Sequence, residues 1–106
     1  MPVPYWHPEN PPICPVYHTP WTLEGANLKG ANLKKALLTG ANLVKADLSE
    51  ADLTSADLSY AILTGANLEG ADFSNAILIG ARLDRSNLLE SGLTGADLEE
   101  AELPVD

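Results

Sequence analysis

The chain has one cysteine, one methionine, one phenylalanine and two histidines in 106 residues, and only six basic side chains against fifteen acidic ones. Each scarcity excludes something. A single thiol, Cys14, cannot form an intrachain disulfide, so oxidation does not hold this fold together. A net charge of −9 disfavours direct binding to nucleic acid or to an anionic membrane surface. No apolar run approaches membrane-spanning length, and no basic start is followed by an apolar stretch, so a cytoplasmic protein is the expectation. At this length there is room for one domain. The acidity is uneven: residues 26–45 carry Lys29, Lys34, Lys35 and Lys45 and no acid, whereas residues 46–106 carry thirteen acids against Arg82 and Arg85.

What the chain does have is a period. From Ala26 to Val105 a five-residue unit recurs sixteen times without insertion. A small residue opens each unit, always Ala except at Ser86 and Ser91, and a large apolar residue stands two places later. Asn or Asp lies between them in ten of the sixteen units. Trp21-Thr22-Leu23-Glu24-Gly25 reads as a degenerate unit ahead of them. A step of five in an α-helix turns about 140°, which scatters the leucines over every face and leaves no amphipathic stripe. In extended chain the small residue and the leucine share one side and the Asn or Asp faces away. The remaining two positions are rich in Gly, Ser, Thr and charge, with Gly25, Gly30, Gly40, Gly65, Gly70, Gly80 and Gly95 immediately before the next unit, where a chain reversal is easily made. Each unit is therefore a short side and a corner. Because no side can bury its own leucine, the sides must stack as a solenoid. Four sides would close a twenty-residue coil, giving about four coils. The expected core is Leu28, Leu33, Leu38, Leu43, Leu48, Leu53, Leu58, Leu63, Leu68, Phe73, Leu78, Leu83, Leu88, Leu93, Leu98 and Leu103. Phe73 asks for more room than Leu, from adjusted coils or smaller facing side chains.

This run of A-(D/N)-L-x-x units resembles the pentapeptide-repeat proteins over about four fifths of the chain. The resemblance implies an all-β solenoid, a right-handed quadrilateral parallel β-helix, with the first and third residue of each unit inward. Family members are plentiful in cyanobacteria and some are sent to the thylakoid lumen, a location for which this chain shows no signal.

Residues 1–20 are unlike the repeat region, 21–106. They hold seven prolines, together with Tyr5, Trp6, His7, Tyr17 and His18, and Trp21 follows. Such a stretch cannot join a ladder as a regular strand. The leading reading is an N-terminal proline-rich cap, in which Tyr5, Trp6, Tyr17 and Trp21 cover the first coil. A partner-binding polyproline segment and plain disorder are the alternatives. His7, Cys14 and His18 are metal-ligating types, but their irregular spacing, with no second Cys, points to no metal site, and no cofactor motif is present.

With twenty-residue coils, residues twenty apart stack in columns. Asn and Asp in the first two columns are expected to bond to their own backbone. Asp52 and Asp72 would lie one coil apart, a separation open to acid and base chemistry, but a flat wall offers a substrate no seat, and no catalytic residue is assigned. The third column departs with Leu37 and Ile77. Together with Tyr60, Ile62 and Ile79 these form the candidate interaction patch. The chain ends at Leu103-Pro104-Val105-Asp106, so the final coil is expected to be uncovered, and a homodimer through that coil or the apolar wall is a further expectation. The functional expectation is a non-enzymatic protein-interaction or structural module with an unidentified protein partner. The alternative is an acidic DNA mimic acting on a DNA-binding protein such as gyrase, a role known in some members of the resembled family.

Overall fold

The computed structural model describes residues 22–104. Every fifth residue from Gly25 to Glu100 has a positive φ, between 59° and 74°. The residue after each one donates its N–H to the carbonyl three back, as from Ala26 to Leu23 at 2.9 Å and from Ala51 to Leu48 at 3.0 Å. Positive φ at the third residue alone marks a type II turn. Seven of these positions are Gly; the other nine carry side chains and bear a left-handed penalty of about 1–2 kcal/mol each. At Lys45, Glu50, Ser55, Tyr60 and Asn75 the coils stacked on both sides over-determine the backbone and hold it there.

Turns at this period return the chain onto itself after twenty residues. Parallel bridges join Asn27 to Asp47, Asp47 to Asn67 and Asn67 to Asn87, and the same offset holds from Thr22↔Asn42 to Arg82↔Glu102. Four walls result. Wall 1 holds 26–30, 46–50, 66–70 and 86–90; walls 2, 3 and 4 start five, ten and fifteen residues later. The β character expected from the sequence is realised as isolated bridges rather than strands. With two of every five residues in a turn, one bridging residue is left per side.

The backbone accounting explains the repeat. In the inner coils the second residue's N–H reaches back one coil (Asp47 to the Ala26 carbonyl, 2.9 Å). The third and fifth reach forward (Leu28 to Asp47, 2.7 Å; Gly30 to Ser49, 2.9 Å), and the first closes the turn. The fourth N–H is left over. The Asn or Asp side chain two residues earlier accepts it in all ten units that have one, for example Ser49 N–H to Asp47 Oδ1 at 3.0 Å and Leu89 N–H to Asn87 Oδ1 at 3.0 Å. The polar signature residue thus completes the backbone hydrogen bonding of its unit.

The interior is the stack of leucines. Leu28 through Leu83 and Phe73 are buried, and Leu23 of the degenerate unit joins them. Phe73 is fully enclosed, and its turn bond (2.9 Å) and coil bond (2.7 Å) match those at the leucines, so its extra bulk is taken up without displacing the backbone. Leu88, Leu93 and Leu98 are half-buried. Leu103 departs from the expected core: it is 44% exposed, because no coil among the described residues lies beyond it. Ser86 and Ser91 occupy the alanine position because each hydroxyl donates to the turn carbonyl beside it, Leu83 at 2.6 Å and Leu88 at 2.8 Å, which satisfies a polar group inside the corner.

Candidate interaction wall

Wall 3 departs from the repeat's Asn or Asp at Leu37 and Ile77, as wall 4 does at Ile62, Arg82 and Glu102 and wall 2 at Gly92, but on wall 3 both replacements are apolar. Leu37 and Ile77 stand where Asn or Asp would cap a backbone N–H, and they face out, 45% and 37% exposed. Tyr60 projects from the corner between walls 3 and 4 and is 61% exposed. Its ring lies across Gly80 of the next coil, where an added Cβ would stand 2.6 Å from both Cδ1 and Cε1. Glycine at 80 therefore makes room for the ring as well as supplying the positive φ of 67°. The Tyr60 N–H donates to the Ile79 carbonyl at 2.8 Å, which ties the corner to the strip Ile77–Ile79.

The structure divides the five candidate residues. Tyr60, Ile77 and Ile79 adjoin one another, and Ile79 is half-buried. Leu37 is separated from Ile77 by Asp57, which bridges to both and turns its carboxylate onto Ser59, with Oδ1 accepting from N–H at 3.0 Å and from Oγ at 2.7 Å. Ile62 lies around the corner on wall 4, bridged to Asn42 and Arg82 and half-buried. Leu89 on wall 1 is exposed and absent from the sequence-derived patch, although its fourth-position place already puts it outside.

Elsewhere the polar groups are committed to the scaffold. Asp52 and Asp72 bridge each other, but each Oδ1 accepts from its own turn, Thr54 N–H at 3.0 Å and Ser74 N–H at 2.9 Å. The Ser74 hydroxyl bond, then its backbone bond, hold the Asp72 carboxyl below the usual carboxylate range, and Ser49 does the same to Asp47. A carboxylate held ionised in this way is a poor general acid. Wall 1 carries a shallow depression of about 300 Å³ lined by Lys29, Asp47, Glu50, Glu69 and Glu90. On wall 4, Arg82 pairs with the half-buried Asp84 at 3.7 Å and the exposed Glu102 at 3.6 Å. Among the described residues no group of three His, Cys, Asp or Glu side chains is placed to hold a metal ion, and no helix is long and apolar enough to cross a membrane. The cap residues Tyr5, Trp6, Tyr17 and Trp21, and His7, Cys14 and His18, lie outside the described residues.

Comparison with known proteins places this geometry. The family of pentapeptide repeats (8 copies) matches residues 22–54, 51–88 and 66–103. Among solved structures, the chain is similar to the pentapeptide repeat protein Rfr23 of the cyanobacterium Cyanothece 51142, with 38% identity, 73% of this chain and 56% of that one covered, and a TM-score of 0.46. It is similar to HetL of the cyanobacterium Nostoc sp. strain PCC 7120, a pentapeptide repeat protein involved in heterocyst differentiation regulation, with 36% identity, 71% and 37% covered, and a TM-score of 0.44. A pentapeptide repeat protein of the Arabidopsis thaliana thylakoid lumen aligns at 28% identity over 81% of this chain and 66% of its own, with a TM-score of 0.50. The chain thus spans little more than half the length of Rfr23 and about a third of HetL. A comparison with curated proteins gives no match. On its repeats, the chain belongs to the pentapeptide-repeat family, whose members are right-handed quadrilateral β-helices and generally serve as structural or interaction modules rather than enzymes.

Proposed function

We propose that this chain is a protein-interaction module that binds a partner protein through the strip formed by Tyr60, Ile77 and Ile79, with Leu37 and Ile62 at its margins. One observation carries the reading. On this wall the repeat gives up the Asn or Asp that would complete its own backbone bonding, at positions 37 and 77, and presents apolar side chains instead. Between residues 36 and 80 the wall carries a single charge, Asp57, which is turned onto Ser59. A flat, weakly charged surface with a tyrosine at its edge fits the apolar centre of a protein interface, where aromatic residues are enriched and charges are depleted. It does not suit a nucleic acid or an anionic membrane, both of which require a cationic surface.

The DNA-mimic alternative draws on the acids of wall 1, Glu50, Glu69 and Glu90. That row is headed by Lys29, and the neighbouring coil residues 26–45 are wholly basic in their charge. A duplex imitation needs an unbroken acidic surface, so the apolar wall is the stronger reading.

The test is Ile77→Asp combined with Leu37→Asp. Both changes restore the family residue at their positions, and Asp57 and Asp97 already occupy the same column, so the fold should persist. Affinity capture from the source cells with the unaltered chain and with the double variant, compared by mass spectrometry, should show a specific partner lost from the variant. Identical partner sets would refute the apolar wall as the binding surface. Inhibition of gyrase supercoiling by both proteins alike would favour mimicry.

A further inference from the structure

The apolar strip on wall 3 is bracketed by charge of one sign. Asp57 lies between Leu37 and Ile77 in its column, and Asp97 follows Ile77. Glu99 and Glu100 stand beside Asp97, and all three are exposed. Wall 3 is also the one wall without a basic side chain of its own: wall 1 has Lys29, wall 2 has Lys34 and Lys35, and wall 4 has Lys45, Arg82 and Arg85. Among the described residues the only ion pairs are those of Arg82 on wall 4, so the coils do not neutralise the wall 3 acids themselves.

A partner that covers Ile77 and Tyr60 must also cover Asp57. Its Oδ1 accepts from the Ser59 N–H at 3.0 Å and the Ser59 hydroxyl at 2.7 Å, and its Oδ2 accepts nothing among the described residues. Asp57 is already half-buried. Removing the rest of the carboxylate from water beneath apolar side chains alone would leave an uncompensated buried charge, so the covering surface has to bring a cation to it. An arginine suits this need, because its planar fork can bond a carboxylate while its stem packs on apolar neighbours.

We infer that the occupant of wall 3 is a basic amphipathic helix of another protein, with cations on either side of an apolar centre. This rests on the apolar wall being the binding surface. The spacing fits. Asp57 and Asp97 are two coils apart, about 10 Å at the spacing of paired strands. Two turns of α-helix rise about 11 Å. A helix laid along the solenoid axis therefore sets cations two turns apart over Asp57 and Asp97, and the apolar side chains between them over Ile77, with Tyr60 and Ile79 along its flank. Glu99 and Glu100 add attraction at the downstream end. A second copy of this chain is a poor occupant, because wall 3 against wall 3 sets carboxylates against carboxylates.

The test is the anisotropy of a fluorescein-labelled synthetic helical peptide with two arginines seven residues apart and leucines three and four residues after the first, titrated with the full chain. Versions with glutamine or glutamate in place of arginine are its controls. The arginine peptide should bind, and Asp57→Asn with Asp97→Asn should weaken it about tenfold. Asparagine at these positions still offers Oδ1 to the N–H groups of Ser59 and Glu99, so the scaffold keeps its bonds. Asp52→Asn with Asp72→Asn removes the same charge from wall 2 and should change binding by less than about twofold. An equal loss from the wall 2 pair, or no binding of the arginine peptide, would overturn the inference. Leu37→Asn with Ile77→Asn removes the apolar side chains without adding charge. Equal binding of all three peptides that this pair abolishes would overturn the need for cations and leave the wall as the binding surface. Arginine-peptide binding untouched by the pair would refute the wall itself. A dimer of the chain in sedimentation, dissolved by the same pair, would give the wall to a second copy and overturn the inference.

Discussion

Gly80→Ala isolates two forces that act on one residue. The position has φ +67°, which costs an Ala about 1–2 kcal/mol relative to Gly whatever the space around it. Its new Cβ would also stand 2.6 Å from two carbons of the Tyr60 ring, far inside contact distance, so the ring must leave. Because Tyr60 is already 61% exposed, the ring can swing into solvent, and the added loss falls at the low end of overpacking penalties, about 1 kcal/mol. Gly40 is the internal control. It occupies the same corner column at φ +73°, and an added Cβ there meets nothing within 4 Å. Gly40→Ala should therefore cost only the backbone term, and Gly80→Ala should melt roughly 4–8 °C below it for each further kcal/mol in a domain of this size. Thermal unfolding followed by circular dichroism measures both. In a Tyr60→Gly background the two glycine substitutions should become equal. Equal costs in the unaltered background would refute the claim that the Tyr60 ring rests on Gly80.

Three further outcomes follow from the same bonding scheme. Asp47→Ala removes the acceptor for the Ser49 N–H and hydroxyl and should destabilise the chain by about 1–2 kcal/mol in urea, whereas Asp47→Asn keeps the N–H acceptor and should cost less. Ile77→Asn supplies an acceptor to the Ile79 N–H that the native residue lacks, and should raise stability by about 0.5–1 kcal/mol while removing an apolar side chain from wall 3. Asp47 and Asp72 have lowered folded-state pKa values, so their contribution is fully present above the ordinary Asp value of about 3.9 and is lost as pH falls through the folded values. The melting temperature should drop across that acid window, and Ser49→Ala with Ser74→Ala should flatten the drop.

Much of this structure was legible because the period is strict. Leucines two places after alanines have one arrangement in extended chain, and the regular recurrence of Gly before Ala announced where the chain turns. The outward placement of Leu37 and Ile77 came from the same register. The sequence did not reveal which corner side chains would stand at positive φ without being Gly, such as Tyr60 and Glu50, because that conformation is imposed by the coils on either side rather than chosen by the residue. Nor did it show that Asp57 would divide Leu37 from Ile77, since the set of outward apolar residues ignores what lies between them in the column. Leu103 was misplaced for an equally plain reason: periodicity assigns every unit the same environment, but burial also depends on a neighbouring coil.

The central claim is that residues twenty apart are direct neighbours in stacked coils. Inter-residue NMR contacts test it most directly. The account predicts close backbone proton contacts linking Asp52 to Asp72 and Asn67 to Asn87, with the amides of Asp72 and Asn87 among the slowest to exchange. Contacts confined to residues three or four apart, with none at an offset of twenty, would contradict it.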